Sequence, residues 1–145
     1  MVGPVLKISE VDLPQAPNIT YPGSAPYREL PAVMAGFDVA LMPFAMNAAT
    51  RSISPTKTLE YLAAGLPIVS TRVPDVVSDF SEVVDFQDDA IGFADGCRRV
   101  IDHDCQARAA RAAPLLHEHH WDTVAGNMER LLQQAHIGAQ LEVSA

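Results

Sequence analysis

Lys57 and Glu60 stand three positions apart in the stretch Ser54-Pro55-Thr56-Lys57-Thr58-Leu59-Glu60-Tyr61. On a helix that spacing makes them neighbours one turn apart. Ser54 suits an N-cap and Pro55 the first helical position, which puts Lys57 in the first turn. A cation there is unfavourable by roughly 0.3–1 kcal/mol, because the helix dipole favours an anion. No acidic residue at Pro55, Thr56 or Lys57 offsets it. A bound phosphate would reverse the sign, accepting backbone N–H groups at the helix start and pairing with Lys57. With the Glu60 carboxylate one turn deeper, the pair suits a ligand carrying phosphate at one end and hydroxyls at the other. A nucleoside diphosphate with its ribose is such a ligand. The plainer reading of the same spacing is an exposed ion pair that contributes only a few tenths of a kcal/mol.

These side chains need a rigid mount, and the neighbouring residues supply the signals for one. Gly65 suits a left-handed C-cap and Pro67 follows just after it. Leu59, Leu62, Ala63 and Leu66 recur at i, i+3, i+4, i+7 and are expected to face a sheet. Ile68-Val69-Ser70-Thr71 reads as a buried parallel strand. Upstream, Val2 closes a strand at Gly3-Pro4, residues 5–17 form an irregular connection, and residues 18–21 make a short strand. Ser24 is expected to cap a helix running to about Ala35, with Leu30, Val33, Met34 and Phe37 as its apolar face. Residues 38–44 read as a buried strand and 45–53 as a loop. Downstream, residues 83–86 form a strand. Helices are expected over 88–103, with Ile91, Phe93, Cys97, Val100 and Ile101 apolar, and over 106–118. Another begins at Asp122, with a stripe of Val124, Met128, Leu131, Leu132 and Ala135. The last ten residues are expected to fray. Alternating strands and helices predict an α/β Rossmann-like parallel sheet with helices on both faces and right-handed crossovers. Ligands in such sheets bind beyond the carboxyl ends of the strands, where the loop after Phe44 and the turn after Thr71 lie. No G-x-G-x-x-G dinucleotide fingerprint is present.

Four segments in order resemble group 1 glycosyltransferases of the GT-B fold. Pro17-Asn18-Ile19-Thr20-Tyr21-Pro22-Gly23 resembles the family's "pNi.ylG" wording. Pro26-Tyr27-Arg28-Glu29-Leu30-Pro31 and Phe37-Asp38-Val39-Ala40-Leu41-Met42-Pro43-Phe44 resemble "pyeelp…fDvallPf". Residues 54–71 resemble "sPlKl.EYlAaGkPVVst", the most specific of the four. The resemblance implies the C-terminal, donor-binding half of an enzyme that moves a sugar from a nucleotide diphosphate to an acceptor hydroxyl. It implies that Glu60 holds the donor ribose, and that Ser54, Pro55, Thr56, Lys57 and Thr58 lie near the diphosphate. It further implies that the loop carrying Asn47, Thr50, Arg51 and Ser52 reaches toward the transferred sugar. Many members carry a second glutamate eight positions before the first; Ser52 stands there instead, which leaves the sugar open. The family's N-terminal domain, with its acceptor site and usual catalytic base, and the first strand and helix of this domain are not in the chain. It is therefore expected to be a fragment, inactive alone and a weak binder of donor, with no catalytic residue of its own and a role in cell-surface polysaccharide biosynthesis. The domain itself is expected to span 1–121, with a C-terminal helix and tail over 122–145. The rival readings are a non-catalytic nucleotide-sugar-binding or partner-docking module and a sugar-nucleotide epimerase-like domain.

Composition narrows the partners. The 145 residues are 48% hydrophobic and 19% charged, as suits one domain with a real core. A net charge of −8 makes the chain a poor partner for nucleic acid. There is no 18-residue apolar run, and no basic start with an apolar core that would mark a signal peptide. The expectation is a cytoplasmic protein, with Cys97 and Cys105 as reduced thiols and peripheral membrane contact compatible. Self-association through an exposed sheet edge is also compatible. His103, His117, His119 and His120 cluster near Trp121, but His117 and His120, at i, i+3, have no third carboxylate in ligand register and no metal is expected. Trp121-Asp122-Thr123-Val124-Ala125 resembles the family's entry to its last helix, which implies that Trp121 is a packing anchor and that no metal cofactor is needed. Asp75, Asp79, Glu82, Asp85, Asp88 and Asp89 read as a solvated acidic stretch over loops and a helix start, not the facing carboxylate pair of a glycoside hydrolase.

Overall fold

The computed structural model describes residues 1–6, 8–102 and 105–143. They divide into two compact units, Met1–Phe37 and Asp38–Ala145. In the first unit Val2 meets Gly23 in a single parallel bridge, and the Gly3 amide donates to the Gly23 carbonyl at 2.9 Å. The strand expected at 18–21 does not form. Extended backbone becomes a strand only where a neighbour accepts its ladder, and here the pairing stops after one bridge. The helix expected from Ser24 is a 3-10 turn, Tyr27–Glu29, running into α1 (Leu30–Met34). Ser24 makes no cap; Pro26 stands at the N-cap position without a side-chain bond.

The second unit is built on three parallel strands in the order β1 (Ala40–Met42), β2 (Ile68–Ser70), β3 (Val84–Phe86). Register places Ala40 beside Ile68 and Val84, Leu41 beside Val69 and Asp85, and Met42 beside Ser70 and Phe86. Helix α2 (Lys57–Ala63) covers the face that holds Met42, where the Thr58 hydroxyl donates to Met42 Sδ at 3.7 Å. Helix α4 (Ala90–Ile101) covers the face that holds Val69 and Asp85, touching it at Gly96. With both faces covered, all of β2 is buried, and Val69 is 0% exposed. At the sheet edge Leu41 shares the α4 face yet stays 51% exposed, because that helix packs on β2 and β3. The strand expected over 38–44 is only three residues long, since a turn bond from the Phe44 amide to the Met42 carbonyl at 3.0 Å ends it.

The end of α2 forms as its residues predict. Gly65 has φ +74, the Leu66 amide donates to the Tyr61 carbonyl at 3.0 Å, and the Gly65 amide to the Leu62 carbonyl at 3.0 Å. That is a Schellman cap. The buried stripe of α2 is Thr58 and Leu62, continued by Leu66, while Ala63 is exposed. It is thus rotated from the stripe expected from leucine spacing.

Helix α3 (Pro74–Phe80) stands where the acidic stretch predicted loops. Pro74 opens it, and Val73, Val76 and Phe80 are buried behind the aspartates. At the start of α4, Asp89 accepts the Gly92 amide at 2.8 Å. Ile91 and Ile101 of the expected apolar face are exposed, and Gly96 is the buried residue of α4. Helix α5 (Cys105–Glu118) follows and seats Ala112 in the core. Helix α6 (Trp121–Val143) runs through most of the segment expected to fray. Trp121 is 82% exposed and anchors nothing; Met128, Leu131 and Leu132 are likewise exposed. Apolar spacing states that a helix has a face to cover, not which element covers it. No helix among the described residues is long and apolar enough to cross a membrane.

Candidate functional site

Because the strands are parallel, the segments after β1, β2 and β3 leave the sheet at one edge. Main-chain bonds tie them together: the Thr71 amide donates to the Met42 carbonyl at 3.1 Å, and the Gln87 amide to the Ser70 carbonyl at 2.9 Å. The candidate residues of the segment after β1 therefore emerge beside residues 71–72 and 87–88.

That segment is stiffened from within. Asn47 Oδ1 accepts the Ala49 and Thr50 amides at 2.9 and 3.2 Å, while Thr50 Oγ1 accepts the Asn47 amide at 2.8 Å. The Thr50 hydroxyl donates to the Ala45 carbonyl at 2.6 Å. This reciprocal pattern opens a 3-10 turn at Thr50–Ser52. Asn47 and Thr50 thus shape the loop, and Arg51 and Ser52 are left exposed on it.

The entry to α2 differs from the expected cap. Thr56 is the N-cap residue, in helical conformation and without a side-chain cap bond, and α2 begins at Lys57. Ser54 and Pro55 precede the helix. The Thr58 amide donates to the Pro55 carbonyl at 3.2 Å and the Leu59 amide to the Thr56 carbonyl at 3.1 Å, so the turn closes on itself. Thr58 is fully buried on Met42 and is a packing residue, whereas Ser54, Thr56 and Lys57 are exposed.

Lys57 and Glu60 do not form an ion pair. Glu60 is half-buried, and its charge acts on Tyr61. Burial lifts the Tyr61 hydroxyl above its ordinary pKa of 10.0, and Glu60 lifts it further. The fold therefore favours the protonated phenol. Its contribution to stability is intact below pH 10.0 and is lost as pH rises through the raised folded value. Glu60→Gln should lower the Tyr61 midpoint without returning it to the ordinary value, since burial is the larger cause. Ultraviolet titration of the tyrosinate band, with Tyr61→Phe as reference, reads this; an unmoved midpoint would separate the two groups.

The remaining cations are mostly engaged. Arg72 pairs with Asp88, Arg98 with Asp95, Arg99 with Asp85 and Arg28 with Glu29. Arg130 donates to Asn127 and Arg111 to the Ala107 carbonyl, and Arg108 is engaged as well. Among the described lysines and arginines, Arg51 and Lys57 alone have side chains with no hydrogen bond or ion pair. Arg51 lies on the segment between β1 and α2 and Lys57 is the first residue of α2, both at the carboxyl edge.

Other features point elsewhere. A cavity of about 250 Å³ opens at the opposite edge, by Pro67, Val83, Val100 and Arg111. The His119 ring lies 5.4 Å from that of Phe80, its Nδ1 2.9 Å from the Leu115 carbonyl, and His120 Nδ1 is 3.6 Å from Asp122. Among the described residues no three His, Cys, Asp or Glu side chains are grouped to hold a metal ion. His103 lies outside the described residues. Cys97 is a free thiol, and the side chain of Cys105 is likewise outside them.

A parallel sheet helix-covered on both faces, with its loops gathered at the carboxyl edge, defines a Rossmann-like α/β domain. The family described as "Glycosyl transferases group 1" matches residues 2–103, and the chain belongs to that family. It is similar to the "Putative teichuronic acid biosynthesis glycosyltransferase TuaH" of Bacillus subtilis (strain 168), 34% identical over 67 residues. That match covers 46% of this chain and 17% of the relative. No solved structure matches the chain.

Proposed function

We propose that this chain supplies the donor-binding part of a glycosyltransferase that moves a sugar from a nucleoside diphosphate to an acceptor hydroxyl. The observation that carries it is the pair Arg51 and Lys57, cations without protein partners, on one segment at the ligand-binding edge of a chain of net charge −8. Unpaired cations in an acidic protein make a local sink for an anion. Lys57 and Arg51 take the diphosphate, with Ser54, Pro55 and Thr56 lining its approach. As the sugar leaves, negative charge builds on that diphosphate, and cations fixed there lower the barrier. Glu60 accepts hydrogen bonds from the ribose hydroxyls, and Ser52 lies toward the sugar. Family membership supports the reaction class; the Bacillus subtilis relative is named for teichuronic acid biosynthesis, in line with our reading of a cell-surface polysaccharide as the product, and we place the reaction in the cytoplasm.

Titration calorimetry with UDP, GDP and ADP tests this on wild type and Glu60→Ala. One nucleotide should bind wild type, and Glu60→Ala should weaken it about tenfold, as losing a hydrogen bond to a charged group does. Equal binding by the two proteins overturns the ribose role. No binding by wild type overturns the donor site.

A further inference from the structure

Arg72 follows β2 at the same edge, and the turn that carries it is bonded directly to the end of β1. The Thr71 amide and hydroxyl both reach the Met42 carbonyl, at 3.1 and 3.4 Å. This puts Arg72 beside the start of the segment that bears Arg51 and Lys57. Its side chain is held from two sides. The guanidinium lies 5.7 Å from the Phe86 ring centroid, and Nε donates to Asp88 Oδ2 at 3.3 Å. Only Nε is used, so the two terminal nitrogens of the guanidinium are left to donate elsewhere.

The pair does little for the fold. Arg72 and Asp88 side chains are 55% and 70% exposed, and ion pairs so exposed contribute little to stability. Its effect is orientation: a long cation is kept in one posture, at the edge where the neighbouring loop offers two unpaired cations. Guanidinium matches phosphate in both charge and forked geometry. Resting on the donor-site reading above, we propose that Arg72 is a further phosphate contact, positioned by Phe86 and Asp88, that grips the diphosphate of the donor from the β2 side.

Arg72→Ala and Arg72→Lys, in the full chain, test this with whichever of UDP, GDP or ADP binds wild type. Arg72→Ala should weaken binding about tenfold. Arg72→Lys, which keeps the charge but loses the fork and the stacking on Phe86, should fall between it and wild type. Thermal midpoints of both should match wild type, since an exposed pair is all that is lost. Unchanged affinity in Arg72→Ala, with Lys57→Ala still weakened, overturns the Arg72 contact and leaves the donor site standing. Unchanged affinity in both removes the two together.

Discussion

The Arg51→Ala/Lys57→Ala double variant is expected to bind nucleoside diphosphate about a hundredfold more weakly than wild type, with an unchanged melting temperature. Each charge-assisted hydrogen bond to a phosphate is worth about 1.5–3 kcal/mol, close to tenfold or more in affinity, so two contacts multiply. The surrounding charge works against the ligand. A chain of net charge −8 repels a diphosphate at range, and these local cations offset that. Folding should not notice the change, because neither side chain has a protein partner to lose, and surface substitutions of that kind stay within about 0.5 kcal/mol. Calorimetry gives the affinity and a thermal melt the control. Raising the salt concentration should weaken wild type more than the double variant, because screening acts on the charges that the variant lacks. A double variant that binds as wild type does would remove the diphosphate from this segment.

The largest loss of stability is expected from Gly96→Leu. At Gly96, α4 meets the sheet so closely that a Cβ would lie 3.1 Å from Asp85 Oδ1, 3.2 Å from Gln87 Cγ and 3.2 Å from Val69 Cγ1. None of the three yields easily. Val69 is 0% exposed, and Asp85 is held by Arg99 at 3.1 Å and by the Gln87 side-chain Nε2–H. The added side chain must push α4 off β2 and β3, and overpacking of that kind costs about 1–3 kcal/mol. The displaced helix would pull residues 87–88, which lead straight into its Asp89 cap, with it, so the carboxyl edge should loosen with the core. Gly126→Ala in α6 is the contrast. Nothing lies within 4 Å of its Cβ position, and the substitution should stabilise by up to about 1 kcal/mol through helix propensity. Chemical denaturation of the two variants beside wild type reads both signs. A Gly96→Leu protein as stable as wild type would mean that the helix and sheet do not meet there.

Several elements are legible in the sequence because their cause is local. Gly65 adopts the left-handed conformation that its lack of a Cβ permits at no steric cost, and the chain reverses there into β2. The β-branched run after it is a buried central strand, and Asp89 starts α4 by accepting an amide from its own first turn. The wording over residues 54–71 likewise points to the family to which the chain belongs.

What the residues could not decide were matters of register and neighbour. Ser54 is as good a capping residue as any, but the chain closes its turn through the carbonyls of Pro55 and Thr56, and the helix starts later. That shift turned Thr58 from a ligand candidate into a core residue against Met42. The valines of α3 carried a helical apolar face all along, masked by the aspartates between them. Arg72 carries no signal in the sequence; only the sheet brings its turn to Met42 and its side chain to Phe86 and Asp88. The order of residues by itself determined the local turns, the strand run and the family. Only the tertiary structure decided which cations stay unpaired and which face of α2 is spent on packing, because both depend on groups distant in the chain that meet only when the parallel strands align.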